Sequence, residues 1–415
     1  MSTRVDFLLV ALAVVVAPYL VWRVPAVRRV APLAVVQIMA GVLLGPSGLG
    51  LMLPALHHAV FTGPVLAQLD GVATAGVLLY VFVTGLHLHP ATLRTEGRRL
   101  GSVAAGSVLV PLALGAAAGW WMAGIDPGAA SAGLPGFVAS VAICIAVTAL
   151  PVLAAILREM GLLGTRIGQT GLAVAALNDA ALWVMLAVVL AVAGRGEAGL
   201  LGLAGAALWF GVMVVVIRPV LARLGRNGIG LVAGVGLAIL SAMLSEHLGT
   251  GYLIGAFAAG AIMPESCRGA LLEQLETVTA TVLLPFFFMS TGLKALIQPG
   301  SAAFLAITGL ALAATLLGKV AGTALPARRL GFSWSDSLTL GAMMQTKGLM
   351  EVVVLTVLHD AGLIGTGIFS AMVVMAVICT LLTAPAVRLA QAPMRASPWR
   401  DSPGTGKIVQ DELRS

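Results

Sequence analysis

One acidic residue lies in the middle of a long apolar segment. Asp179 follows Asn178, and the rest of residues 171–194 carries no charged, amide or hydroxyl side chain. A carboxylate in such surroundings is costly unless a proton or a cation neutralises it. A single carboxylate that binds either a monovalent cation or a proton, and moves only when neutralised, would couple the two fluxes. The Asn178 carbonyl oxygen is a ligand that hard cations prefer. Alternatively, Asp179 is half of a buried ion pair that only fixes helix packing.

A second apolar segment contains a hydroxyl and a helix breaker. Thr148 and Pro151 are separated by Ala149 and Leu150. Proline removes a helical hydrogen bond and should free a main-chain carbonyl near residue 147. That carbonyl and the Thr148 hydroxyl are suitable cation ligands. An ordinary proline kink, with no ligand role for Thr148, is the alternative.

Three further charged residues lie inside apolar segments. Lys347 and Glu351 are four residues apart, so on a helix they share a face and can pair. Lys347 stands at a polar interruption, where its ammonium could neutralise the C-terminal ends of half-helices. We expect this pair to compensate charge, with a direct role in ion binding as the alternative. Lys319 is expected to modulate Asp179 or Asn178.

The chain is too poor in charge for a soluble protein. Of its 415 residues, 59% are hydrophobic and 10% are charged. Soluble domains carry about 25% charged residues. The composition therefore excludes a cytosolic enzyme, a disordered regulator and a nucleic-acid binder, despite a net charge of +7. The three cysteines lie far apart in apolar runs and predict neither a disulfide framework nor a metal site.

Apolar runs between Gly, Pro and charged clusters predict thirteen membrane spans. A spanning helix needs about 20 mostly apolar residues. The predicted spans are 5–22, 30–45, 69–87, 99–121, 135–157, 167–193, 199–217, 229–246, 250–264, 277–296, 302–325, 335–358 and 364–387. The first is interpreted as a retained span and not as a signal peptide. The fifth and the twelfth are interrupted near their middle, at Pro151 and at residues 345–348.

Basic residues in the connecting loops predict the orientation. Cytoplasmic loops are enriched in lysine and arginine. One alternate set of loops holds nearly all of these residues, whereas the other set holds Arg4, Arg195 and Lys294. This asymmetry predicts a multi-pass protein of the cell membrane with its N-terminus outside and its C-terminus in the cytoplasm. Residues 391–415 would form a short cytoplasmic tail without room for a regulatory domain.

The chain also resembles itself at a distance. The matched segments are 40–46 with 259–264, 84–86 with 291–293, and 161–165 with 362–366. Their shared order relates spans 2–6 to spans 9–13, and the odd offset of seven spans places the two copies in opposite orientations. Inverted repeats with paired interrupted helices are typical of secondary transporters that bind their substrate at the membrane midplane.

Several of these segments occur in an order that is specific to one transporter family. They are Thr148–Pro151, Asn178–Asp179, Gly318–Lys319 and Thr346–Gly348, preceded by Pro46–Gly50 and Thr84–Leu86. Over about residues 5–390 the chain therefore resembles the monovalent cation:proton antiporter-2 family. The resemblance implies an all-α membrane protein of about thirteen helices with the sodium/proton antiporter-like fold, in which two broken helices cross.

The resemblance also implies two parts and a mode of action. A core of about residues 99–193 and 302–387 would slide, like an elevator, against a dimerisation part of about residues 5–87 and 199–296. The expected activity is secondary active exchange of Na⁺ or K⁺ for protons by a homodimer in the lipid bilayer. We expect no enzymatic activity and no cofactor beyond the transported ion and proton.

Individual roles carry over at the matching residues. Asp179 would bind the ion and the proton, with Thr148 and Asn178 in its shell. Lys319 matches a lysine that pairs with a second aspartate in electrogenic relatives, but Asn178 occupies that position here. Because one carboxylate cannot carry two protons, we expect electroneutral one-for-one exchange.

Other membrane functions fit the residues less well. A sodium-coupled organic solute carrier on the same scaffold would need more polar residues at both interruptions, and Ala149-Leu150 is apolar. An aspartyl intramembrane protease needs two central aspartates, and the sequence offers Asp179 alone. A passive channel would need an uninterrupted filter motif, which is missing.

Overall fold

The structure, a computed structural model, describes residues 3–87, 90–126, 133–195, 197–224, 230–298 and 300–391. These residues form α-helices and contain no β-strand, so the predicted all-α fold class is confirmed. The predicted tail of residues 391–415 lies, apart from Gln391, outside the described residues.

Twenty helices follow one another along the described chain. Helices α1 to α7 are Thr3–Arg23, Pro25–Val30, Leu33–Leu44, Leu49–Met52, Pro54–Val60, Gly63–Leu86 and Pro90–Ile125. Helices α8 to α14 are Leu134–Ala146, Leu150–Glu159, Arg166–Arg195, Glu197–Val212, Arg218–Leu224, Leu231–His247 and Tyr252–Ile262. Helices α15 to α20 are Glu265–Val278, Leu284–Lys294, Ala302–Arg329, Trp334–Met344, Leu349–Asp360 and Thr366–Gln391. Single π-helical turns, Met213–Ile217 and Thr279–Leu283, join α11 to α12 and α15 to α16.

The described helices are long and apolar enough for a multi-pass membrane protein. Nine helical segments of the described chain could cross a membrane by length and composition, and three of these segments each join two consecutive helices. Three shorter apolar helices accompany them. The number of thirteen spans stays a prediction. Three predicted starts are late, because α6 begins at Gly63, α7 begins at Pro90 and the α15–α16 helix begins at Glu265. The missed turns are more polar than the rest, and hydropathy finds only the part of a helix that matches the hydrocarbon core.

Glycines of the predicted repeat allow two reciprocal helix crossings. A Cβ atom built on Gly41 would lie 2.9 Å from the Cα atom of Gly292, and one built on Gly85 would lie 3.0 Å from that of Gly260. The sequence pairs Gly41 with Gly260 and Gly85 with Gly292, so the two crossings are equivalent under the repeat. Small residues of this kind let membrane helices approach closely.

The two predicted interruptions are real and meet each other. Helix α8 ends at Ala146 and α9 begins at Leu150, while α18 ends at Met344 and α19 begins at Leu349. The Ala149 amide donates a hydrogen bond of 2.9 Å to the Thr346 carbonyl and thereby joins the two extended segments. Two crossing broken helices therefore lie at the centre of the fold, as predicted.

Helix packing is most extensive within two sets of helices. One set contains α7, α8, α10, α17, α18 and α20, and the other contains α3, α6, α13, α14 and α16. The first set carries both interruptions and Asp179. Contacts between the sets include the stacked rings of Trp183 on α10 and Phe257 on α14, whose centroids are 5.1 Å apart.

Candidate ion-binding site

The α8–α9 interruption places Thr148 in extended backbone between two half-helices. Pro151 lies in the first turn of α9, where its missing amide hydrogen leaves no helical bond unmade. The Thr148 hydroxyl donates to the Met344 carbonyl at 2.8 Å and accepts from the Lys319 ammonium at 2.7 Å. Thr148 therefore ties both interruptions to helix α17.

Lys319 is fully buried on α17, and its ammonium is surrounded by oxygens. Besides Thr148 it donates to the Ser107 carbonyl at 2.9 Å and to the Ala146 carbonyl at the end of α8. Three donors with three oxygen partners satisfy an ammonium completely. Its expected influence on Asp179 or Asn178 stays a prediction, and its direct hydrogen-bond partners belong to the interruption and to α7.

Lys347 and Glu351 form a buried ion pair on either side of the start of α19. Their charged atoms are 2.7 Å apart, and both side chains are fully buried. The Lys347 ammonium also donates to the carbonyls of Cys144 at 2.6 Å and Ile145 at 3.1 Å. A helix C-terminus carries a partial negative charge. The end of α8 therefore receives the ammonium groups of both Lys319 and Lys347.

Asn178 on α10 is held by a residue that sequence reasoning missed. Its side-chain amide lies 2.9 Å from the Ser107 hydroxyl on α7, and its carbonyl oxygen lies 3.1 Å from the same hydroxyl. Because Ser107 also offers its main-chain carbonyl to Lys319, it connects Asn178 with the lysine. A serine within an apolar span was the only available signal.

Asp179 differs from every other charged group at this centre. Its side chain is 3% exposed, and both carboxylate oxygens are buried without a hydrogen-bond partner among the described residues. Nor does a described lysine, arginine or histidine lie within ion-pair distance of it. A buried charge needs a neutralising partner, and the described residues do not supply one.

Comparison with known proteins identifies the family. A family model described as "Sodium/hydrogen exchanger, transmembrane" matches residues 10–389. The chain belongs to this sodium/hydrogen exchanger family. The predicted resemblance is thus confirmed at the level of monovalent cation:proton antiporters, which are transporters.

Proteins named as antiporters match along most of the chain. "Cation/H(+) antiporter 17" of Arabidopsis thaliana is 31% identical, and the aligned region spans 87% of this chain and 46% of that protein. "Na(+)/H(+) antiporter NhaS4" of a Synechocystis species is 32% identical, and the aligned region spans 86% of this chain and 90% of that protein. The chain thus spans about half the length of the Arabidopsis relative.

A solved structure shares the fold. The sodium proton antiporter MjNhaP1 of Methanocaldococcus jannaschii superposes with a TM-score of 0.60, over 94% of this chain and 98% of that chain. At 14% sequence identity this likeness concerns the fold alone. None of these relatives is named as an organic solute carrier, so the rival prediction finds no support.

Proposed function

We propose that the protein is a secondary active antiporter that exchanges a monovalent cation, Na⁺ or K⁺, for protons at Asp179. The observation that carries this proposal is the buried, unpartnered Asp179 carboxylate. An ionisable group inside a membrane protein is costly and usually functional. A proton and a monovalent cation each carry the one positive charge that neutralises the carboxylate, so the two compete for it.

The other charges of the centre support this assignment, because they already have partners. Lys347 is neutralised by Glu351 at 2.7 Å. Lys319 is held by Thr148 and two main-chain carbonyls. Asp179 alone among these four residues lacks a partner in the described part of the chain. The cargo supplies the missing positive charge.

Neighbouring oxygens would complete the shell of the cation. The Asn178 carbonyl oxygen precedes Asp179 in the chain, and the Thr148 hydroxyl oxygen lies at the interruption. Hydroxyl and amide oxygens are suitable ligands for hard cations. Lys319, Lys347 and Glu351 then position the interruption and compensate the end of α8 without touching the ion.

The exchange is proposed to be electroneutral. Among the described residues at the two interruptions and their neighbours on α10 and α17, Asp179 is the carboxylate available for a proton, because Glu351 is paired with Lys347 and Asn178 cannot ionise. Lys319 would keep its proton through the cycle, since its ammonium is fully hydrogen bonded. One proton is therefore exchanged for one monovalent cation.

The halves of the molecule are proposed to move against each other in the cell membrane. The core would comprise about residues 99–193 and 302–387, and the static dimerisation part about residues 5–87 and 199–296. This proposal agrees with the two packed sets of helices. The N-terminus would lie outside, the C-terminus in the cytoplasm, and a second copy would complete a homodimer.

Replacement of Asp179 by asparagine tests the proposed function. Asn keeps the size of the side chain but can neither bind a proton nor supply negative charge. In proteoliposomes, cation-dependent proton release by Asp179→Asn should fall to the level of protein-free liposomes. Wild-type protein should respond to Na⁺, K⁺ or Li⁺, and comparison of the three identifies the cargo.

Asp336→Asn is a matched control for this variant. Asp336 is an acidic residue at the start of α18, where its carboxylate accepts an exposed hydrogen bond from Ser333. Its replacement should leave exchange unchanged. Cation-dependent proton release that persists in Asp179→Asn at the wild-type rate would contradict the proposal.

A further inference from the structure

A cavity of about 390 Å³ opens at one end of the seam between the two sets of helices. Leu186 and Leu190 of α10 line it from the core side, and Val77 of α6 and the α13–α14 connection line it from the other side. Two acidic residues, Glu246 and Asp360, line the same space. A cation that enters here meets the protein between its two halves.

Asp179 lies beyond the floor of this cavity on α10. The lining residues Leu190 and Leu186 belong to the C-terminal part of the helix, and Trp183 and Asp179 precede them. At a rise of 1.5 Å per residue, Asp179 lies about 10 Å deeper along the helix than Leu186. Trp183 lies between the cavity and the carboxylate.

Tyr80 lies beyond the floor on the opposite side of the seam. Helix α6 runs away from the cavity. Helix α14 begins at the cavity with Tyr252, and at its far end the Ala261 carbonyl accepts a hydrogen bond from Arg268. The same guanidinium donates to the Leu86 carbonyl at the end of α6. Tyr80 follows the lining residue Val77 by one turn, or about 4.5 Å. It is therefore the next polar group of α6 on the way inward.

The polar atoms at this depth have no partner within the described residues. The Tyr80 hydroxyl, the Trp183 indole nitrogen and both Asp179 oxygens are buried without a hydrogen bond. Tyr80 and Trp183 belong to the same buried cluster as the lining residues Val77 and Leu186. Buried polar groups in folded proteins are nearly always hydrogen bonded. Four unpartnered polar atoms on α6 and α10 thus lie inward of the cavity, and two of them belong to the carboxylate.

We propose that the Tyr80 hydroxyl is a cation ligand contributed by the static half on the passage from the cavity to Asp179. Its oxygen replaces one water of the cation that approaches the carboxylate. The indole nitrogen of Trp183 only donates hydrogen bonds, so it serves the carboxylate or a water molecule and not the cation. This inference rests on the proposed antiport. Because Tyr80 and Asp179 belong to different halves, the hydroxyl serves the ion only when the core faces the cavity.

Tyr80→Phe removes the hydroxyl and keeps the ring. The Michaelis constant for the cation, KM, is measured in oriented proteoliposomes with the cation on either side. The KM on the cavity side should rise about fivefold, as for one lost hydrogen-bonding ligand. The KM on the opposite side and the maximal rate should not change. Tyr19→Phe is the matched control, because Tyr19 is 41% exposed on α1.

The same preparation separates this inference from the proposed function. Exchange that persists in Asp179→Asn refutes the proposed function itself. If Asp179→Asn is inactive and Tyr80→Phe leaves the cavity-side KM unchanged, or raises KM equally on both sides, the role of Tyr80 is refuted.

A second pair of variants covers the case in which Tyr80→Phe fails to fold. Tyr80→Gln keeps an oxygen ligand, whereas Tyr80→Met has a similar size and none. The cavity-side KM should be lower for the glutamine variant than for the methionine variant. Equal values would overturn the proposal.

Discussion

Asn178 occupies the position at which the family resemblance implies a second aspartate in electrogenic antiporters. It bonds Ser107, which in turn offers a carbonyl to Lys319. Asn178→Asp should add a second acid next to Asp179 and close to Lys319, so that the exchange carries net charge. One charge that crosses 100 mV changes the free energy by about 2.3 kcal/mol, or roughly fifty-fold in the equilibrium ion distribution. Valinomycin-clamped proteoliposomes measure this dependence, and wild type should show none.

Gln169→Glu is the control for the added charge. Gln169 is exposed near the start of the same helix, α10, and bonds the Leu163 carbonyl. Its replacement should leave the exchange independent of voltage. Voltage dependence of the wild-type protein would contradict electroneutral exchange.

The sequence predicted the charged residues of the centre but not all of their partners. Charges are rare inside membrane spans, so Asp179, Lys319 and Lys347 were visible without a structure. Ser107 was not, because one hydroxyl in an apolar span is common and its role depends on which face of α7 packs against α10. Lys319 was expected to modulate Asp179 or Asn178, which stays a prediction; that its ammonium bonds the Ala146 carbonyl at the end of the first half-helix was not foreseen.

At one close helix crossing, a methyl group added to a glycine of α6 should destabilise the protein. A Cβ atom on Gly85 would lie 2.9 Å from the Ala261 nitrogen and 3.0 Å from the Gly260 Cα atom. Gly85→Ala should therefore reduce the free energy of unfolding by about 1–3 kcal/mol, as overpacking does. Thermal unfolding in detergent measures this loss.

Gly71 of the same helix provides the matched comparison. A Cβ atom there would meet nothing within 4 Å. Gly71→Ala should be neutral or slightly stabilising, because alanine favours a helix over glycine by about 1 kcal/mol. Equal destabilisation by both variants would refute the role of the crossing.

The sequence predicted the interruptions better than the helix ends. Pro151 and the polar residues 345–348 marked both breaks, because such residues are unfavourable within an apolar helix. The starts of α6, α7 and α15 were missed, since helical turns continue past the apolar stretch. That the breaks are joined by the Ala149–Thr346 hydrogen bond is tertiary information, which the family resemblance implied and local pattern could not supply.

Relative movement of the two halves predicts that a covalent link between them stops exchange. Trp183 and Phe257 stack across the seam with ring centroids 5.1 Å apart. In the double variant Trp183→Cys with Phe257→Cys, oxidation should abolish exchange and reduction should restore it. The comparison is made against the same variant kept reduced, so that loss of the two rings is accounted for.

A link inside the static part provides the control. The Ser47 hydroxyl donates to the Ala295 carbonyl at 3.0 Å, and both residues belong to the proposed dimerisation part. Oxidation of Ser47→Cys with Ala295→Cys should leave exchange unchanged. Exchange that continues across an oxidised Trp183–Phe257 link would refute the sliding of the halves.

The reciprocal crossings have a consequence for how such an architecture arises. The first two helices of each repeat find their glycine contacts on the other repeat and not on themselves. A shorter polypeptide with only one of the repeats could satisfy these contacts by associating with an upside-down copy of itself. Duplication and fusion of such a polypeptide would then free each copy to specialise. Asp179 lies in the last span of the first repeat, and the last span of the second repeat, residues 364–387, has no acidic residue.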